Sequence, residues 1–367
     1  YYRHIYKTRQ SKMKLGFGLY KHMLNEQNYK FAKQCGATHL VIHLVDYFGH
    51  NKNKADQPIG GNSGWGLAGN PDEIWSYEEL SAIKKEIDDH GLKLEAIENF
   101  DPAHWHDILL DGPKKELQMA NLKQLIRNVG AAGIPIFGYN FSLAGVSSRS
   151  TGSYARGEAI SVGMEGVPDE PSIPNGMVWN MIFDQNAPEG LMPKVTHNEL
   201  WERLQYFLDH IIPVAEEAGV IMAAHPDDPP LPYIRNTPRL VYQPDMYQRL
   251  IDMKPSPSNC LEFCLGSIAE MTEGDVHNAT DQYSKQNKIG YVHFRNVVGK
   301  VPFYKEVFVD EGDIDMVKVL KILKKNNFEG VLIPDHTPQM SSDGGWYAGM
   351  AYAMGYMKAA IMSIKNS

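Results

Sequence analysis

Eight short apolar, β-rich runs alternate along the chain with longer segments of helical period, and this alternation limits the possible folds more than any other feature. The runs are Lys14–Leu19, His39–Val45, Lys93–Ile97, Pro135–Asn140, Val220–Ala224, Asn259–Cys264, Ile289–Phe294 and Gly330–Pro334. Helices are predicted over Asn25–Cys35, Ser76–His90, Lys114–Ala131, Asn198–Ala218, Pro244–Met253, Asp275–Ser284, Ile314–Asn326 and Gly345–Ile364. Local chemistry supports several of these boundaries. Ser76 can cap its helix with Glu79 as a capping-box partner three residues on, and Gly36, Gly91 and Gly219 stand where helices should stop. Alternating strands and helices imply a parallel sheet, and eight such units imply a closed (β/α)8 TIM barrel. A doubly wound open sheet is the competing topology. No Gly-x-Gly-x-x-Gly or Walker A loop follows any run, which removes the usual reason to prefer it.

The chain has 367 residues, 43% of them hydrophobic, enough for one large barrel from residue 13 onward with a core that needs no disulfide staples. Residues 1–12 are basic and polar, and read as an N-terminal extension or an expression remnant. The net charge of −8 and the lack of any long Lys/Arg run exclude a sequence-blind grip on phosphates, so no nucleic-acid partner is expected. No apolar run approaches the roughly 20 residues that span a bilayer. Only three cysteines, Cys35, Cys260 and Cys264, fit a reducing, cytoplasmic setting. One stretch breaks the pattern: residues 142–196, rich in Gly, Ser and Pro, separate the fourth strand from its helix. They hang from the end of the barrel where such enzymes keep their sites, and are expected to form a lid or an oligomer contact in a dimer or tetramer.

The chemistry lies at the ends of the last four strands. The fifth ends in His225, the sixth in Cys264, the seventh carries His293 and the eighth ends in Asp335. Adjacent parallel strands lie about 4.8 Å apart, so four side chains delivered at one end can meet at one point. Two imidazoles, a thiolate and a carboxylate suit a transition metal better than Mg2+ or Ca2+. Taken singly, each has a plainer reading: a hydrogen-bonded histidine, a small apolar cysteine, a turn-capping aspartate. Cys260 shares the face of Cys264 but lies deeper, and should be structural. Other polar groups gather at the same end: His43 and Asp46, Glu98 and Asn99, Tyr139 and Asn140, Arg295 and Asn296, and His336. Arg295 is a natural carboxylate clamp, and His336 can exchange protons near neutral pH.

At these residues the chain resembles the mannonate dehydratase family of xylose-isomerase-like barrels. The resemblance runs through GATHLVIHL, IENFDPAH, GIPIFGYNF, AAHPDDPP, EFCLGS, VHFRNV and PDH, in that order along the chain. It implies loss of water from D-mannonate to give 2-keto-3-deoxy-D-gluconate, with Mn2+ or Fe2+ held by His225, Cys264, His293 and Asp335 as a Lewis acid. His336 would move a proton, and Tyr347 is the nearest match to an assisting tyrosine. His43, Glu98, Asn140, Arg295 and Asn296 would bind the sugar acid, an aldonate or a uronate. A metal-dependent sugar isomerase or epimerase on the same barrel is the alternative; a non-catalytic metal-stabilised binding barrel is a third reading.

Overall fold

The computed structural model describes residues 13–47 and 65–365; the N-terminal extension expected over residues 1–12 lies outside them. Eight parallel strands close on themselves, and each pairs with its neighbours in sequence order. They are Lys14–Leu19, His39–Ile42, Lys93–Glu98, Ile136–Tyr139, Ile221–Ala224, Asn259–Cys264, Ile289–His293 and Val331–Ile333, called first to eighth below. The barrel expected from the alternation is therefore the fold, with five of the eight runs trimmed at one or both ends and the third extended by one residue. Val41, Ala96, Ile136, Ala223, Tyr291, Val331 and Ile333 fill the inside of the barrel. A far larger apolar layer packs the outer faces of the strands against the surrounding helices. Among the described residues no helix is long and apolar enough to cross a membrane.

The helix boundaries follow local chemistry. Ser76 accepts the Glu79 N–H as expected, capping Tyr77–Asp89. The complete reciprocal capping box sits elsewhere, at Thr196 and Glu199, opening the long helix His197–Ala218, which Gly219 ends at φ 69°. A helix absent from the sequence reading, Pro102–Leu110, follows the third strand; Asp101 caps it and Pro102 opens it.

The segment 142–196 is more ordered than its composition suggests. Ser150–Ala155 and Ala159–Glu165 form a hairpin. The chain after the seventh strand forms a second one, Asn296–Lys300 with Phe303–Val307, which the sequence reading did not anticipate. The two hairpins join, with Phe303 opposite Glu165, into a four-stranded antiparallel sheet. Arg239, fully buried, ties the start of this segment to the loop after the fifth strand. It donates to Gly145 O at 2.7 Å, to Ser142 Oγ at 3.1 Å and to Asp228 O at 2.9 Å. Its Nε pairs with Asp227 Oδ1 at 2.9 Å. The other oxygen of Asp227 accepts the N–H groups of Leu240 and Val241.

Candidate metal centre

Parallel register brings the proposed ligands together. Cys264 and His293 are the last residues of the sixth and seventh strands and lie directly opposite each other. His225 follows the fifth strand, its N–H bonded to Tyr139 O. Asp335 lies two residues past the eighth strand, in the left-handed region at φ 66°, a costly conformation for a residue with a Cβ. Ligand atoms of His225, Cys264 and His293 all lie within 4.8 Å of one another. Asp335 Oδ2 adjoins them, 3.5 Å from His293 Nδ1.

The surroundings set the state of each group. His225 Nδ1 lies 2.6 Å from Pro226 O; a carbonyl only accepts, so that nitrogen carries the proton and Nε2 is left for the centre. His293 Nε2 is 3.3 Å from Glu98 Oε2 and from Glu262 Oε1. Among the described residues its buried Nδ1 has no hydrogen-bond partner. A carboxylate holding the far nitrogen of an imidazole is the usual way to aim a ligating histidine. Burial disfavours a charge on Cys264, yet the Arg295 guanidinium and a hydrogen bond with His225 hold its thiol well below the usual range, as thiolate. Burial also opposes charge on His225, but its hydrogen bond with Cys264 and the Glu262 carboxyl raise it to about 9. A thiolate, two inward imidazole nitrogens and a carboxylate are the donor set of a transition-metal site, and the orphaned His293 Nδ1 fits that use.

The EFCLGS motif has a physical reading here. Ser267 N–H points at Cys264 Sγ at 3.5 Å, and Ser267 Oγ lies 3.2 Å from the same sulfur. Arg295 Nη2 reaches Cys264 Sγ at 3.3 Å, Ser267 Oγ at 2.9 Å and Asp228 Oδ2 at 2.8 Å. A Cβ on Gly266 would sit 2.5 Å from Arg295 Nε, so the glycine is what lets the guanidinium lie there.

A pocket opens over the centre. His225, His293, Asp335, His336, His43, Glu98, Asn99 and Asn140 all line it, so eight residues expected at this end share one cavity with Arg149, Asp228, Tyr20, Tyr47, Trp65 and Trp179. His336 lies between carboxylates, with Nδ1 2.9 Å from Glu306 Oε2 and Nε2 3.4 Å from Asp335 Oδ2. Burial lowers its affinity for a proton, but Asp335 and Glu306 outweigh burial and raise it. His43 shifts the other way: burial lowers it more than the Glu98 carboxylate lifts it. Its Nδ1 is 3.2 Å from Tyr47 Oη, and its ring stacks on Tyr20 with centroids 4.7 Å apart. Burial raises Glu98, but His43 and His293 beside it bring its carboxyl well below the usual range. Asn140 donates to Pro226 O at 3.1 Å, while its Oδ1 accepts the Trp179 indole N–H at 3.2 Å.

Three expected residues do not reach the pocket. Tyr347 Oη is bonded to Asn28 Oδ1 at 2.9 Å, on the outer face of the barrel beside Phe31. Asn296 spends its amide on the backbone of Val309, Ile314 and Val297, clamping the loop after its hairpin. Arg295 is not an open clamp: besides Cys264, Ser267 and Asp228, it donates to Glu306. Tyr139 also faces away, against Phe207. Cys260 is buried with its thiol toward Pro257 O at 3.3 Å, away from the mouth. The sequence reading missed Arg149, Asp228, Glu262 and Glu306. Asp228 and Glu262 stood inside quoted motifs, and strand alternation put Glu262 on the face of Cys264 without giving it a role. Arg149 and Glu306 lie in or beside hairpins without a readable period.

Comparison with known proteins gives one answer. The sequence profile of the family described as D-mannonate dehydratase (UxuA) matches residues 19–165 and 185–367. A mannonate dehydratase from Streptococcus suis is 33% identical over 286 residues, 74% of this chain and 76% of that protein. One from Streptococcus uberis is 33% identical over 279 residues, 72% of this chain and 78% of its own length. The crystal structure of mannonate dehydratase from Streptococcus suis serotype2 superposes with a TM-score of 0.75 at 27% identity, covering 96% of this chain and 93% of that one. An L-ribulose 3-epimerase, at TM-score 0.54 and 15% identity over 96% of each chain, shares the fold alone.

Proposed function

The chain belongs to the D-mannonate dehydratase family, metal-dependent hydro-lyases, and from that premise we propose that it eliminates water from D-mannonate to give 2-keto-3-deoxy-D-gluconate. The observation that carries the reading is the cluster of His225, Cys264 and His293, with Asp335 adjoining, under a pocket lined by two further imidazoles. We assign these four as ligands to Mn2+ or Fe2+. Such an ion, when bound, supplies Lewis acidity toward the carboxylate and a hydroxyl of the acid.

The two remaining imidazoles divide the proton work. His43 is kept neutral by burial and suits the base that accepts the C2 proton. His336, kept charged by Asp335 and Glu306, suits the acid that protonates the departing C3 hydroxyl. The C2–H electron pair becomes the C2=C3 bond, the C3–O bond breaks, and the oxygen leaves as water with the proton from His336. The enol left behind becomes the 2-keto acid. Two groups driven apart in proton affinity by their surroundings are the usual mark of an acid–base pair. Glu98, ionised, is an acceptor for substrate hydroxyls, and Asn140 also lines the pocket wall.

The test is to incubate metal-loaded protein with D-mannonate and assay for a 2-keto-3-deoxy acid. Formation of that acid is expected. Its absence across a panel of aldonates, with turnover of an aldose or ketose, overturns the reading in favour of an isomerase. His336→Ala is expected to retain its metal and lose about 10²- to 10⁴-fold in turnover; wild-type turnover in that variant removes His336 as the acid.

A further inference from the structure

Arg149 stands at the pocket in an unusual condition. It belongs to the segment between the fourth strand and its helix, one residue before the first hairpin begins at Ser150. Its side chain is 4% exposed and lines the cavity together with His225, Asp335 and His336. A buried guanidinium carries five N–H donors and normally spends them. Arg149 makes no hydrogen bond among the described residues, and its Nε is without a partner. Its nearest carboxylates, Asp228 Oδ2 at 3.9 Å and Glu306 Oε1 at 3.8 Å from Nη1, balance its charge from beyond hydrogen-bonding reach. Arg295, the other guanidinium nearby, does not line the cavity; its Nη1 and Nη2 are engaged by Glu306, Asp228 and Ser267, and only its Nε lacks a hydrogen bond among the described residues.

The loop that carries Arg149 is fixed. Asn180 Nδ2 donates to Val146 O at 3.0 Å, Trp179 N–H to Leu143 O at 2.7 Å, and Ser148 Oγ to Glu170 Oε2 at 2.5 Å. Ser148 takes φ 62°, the turn that carries the chain on toward the pocket. A charged, desolvated donor array held still beside a cavity is built to meet an anion of matching planar shape.

We propose that Arg149 receives the carboxylate of the substrate and makes this site select for acids over neutral sugars. The proposal rests on the sugar-acid reading above, since an aldonate is an anion at neutral pH. Arg149 is then a binding residue that the other described residues leave open for the ligand, and the segment 142–196 contributes to specificity.

Calorimetric titration of the metal-loaded protein with D-mannonate, and with its neutral amide, tests this. Arg149→Gln is expected to bind D-mannonate about ten- to a hundredfold more weakly while binding the amide as the wild type does. Arg149→Lys, which keeps the charge but not the planar fork, is expected to fall between; it carries the test if the glutamine variant does not fold. Metal content and unfolding temperature, measured alongside, separate ligand binding from damage to the centre. Wild-type affinity for D-mannonate in both variants overturns the proposal, as does equal weakening toward acid and amide. Wild-type protein that binds D-mannonate yet forms no keto acid counts against dehydration and leaves Arg149 in place. Wild-type protein that binds no aldonate removes both.

Discussion

At the scale of single residues, the centre depends on side chains whose neighbours decide their chemistry. Cys264→Ser replaces a thiolate by a hydroxyl that stays protonated, and His225→Ala removes a nitrogen donor. Each is expected to lower bound metal well below one ion per chain, read by elemental analysis after dialysis; full occupancy in both removes them as ligands. Gly266→Ala tests the support of the sulfur. The added methyl would sit 2.5 Å from Arg295 Nε, so the guanidinium must shift, at a cost of about 1–3 kcal/mol. A lower unfolding midpoint together with weaker metal retention is expected; loss of neither would show that the guanidinium has room to move. The convergence of the four proposed ligands was legible in the sequence because each stands at the end of a strand or one or two residues past it, and strand order in a barrel is spatial order. Arg295, Asn296 and Tyr347 were misread for the opposite reason. They follow strands or lie far beyond them, where sequence gives position along the chain but not the direction of the side chain.

At the scale of elements, the helix His197–Ala218 illustrates how a boundary is set. Thr196 and Glu199 satisfy each other's backbone N–H groups before the apolar stripe of the helix begins. Thr196→Ala is expected to cost about 1 kcal/mol, measured as a shift in the denaturant midpoint at unchanged slope; an unmoved midpoint would show that packing alone holds that end. The helix Pro102–Leu110 was illegible because every residue from Pro102 to Leu109 is buried, and a helix without a polar face has no period to read. The two hairpins were hidden differently. The partners of Ala159–Glu165 include Phe303–Lys305, and pairing between segments so far apart in sequence leaves no local mark beyond turn residues. The strands of the barrel, by contrast, pair with sequence neighbours and alternate with helices, and nearly all of that architecture was readable.

At the scale of the molecule, Arg239 joins the barrel to what stands on it. Its guanidinium binds the loop after the fifth strand and the start of the segment 142–196 at once. Arg239→Ala leaves Asp227 charged and buried without its partner, and is expected to cost on the order of 3–5 kcal/mol. A Tm within a degree of wild type would show that the segment is held by its hairpin alone. The shared antiparallel sheet has a consequence for descent and for engineering. Arg149, which lines the cavity, and Glu306, 3.8 Å from its Nη1, come from two excursions of the chain whose backbones are stitched together. Lengthening or transplanting either excursion by itself would strand a row of amides and carbonyls on the other. The two are therefore expected to vary in length together among relatives, and a designer who wishes to retune one has to carry both.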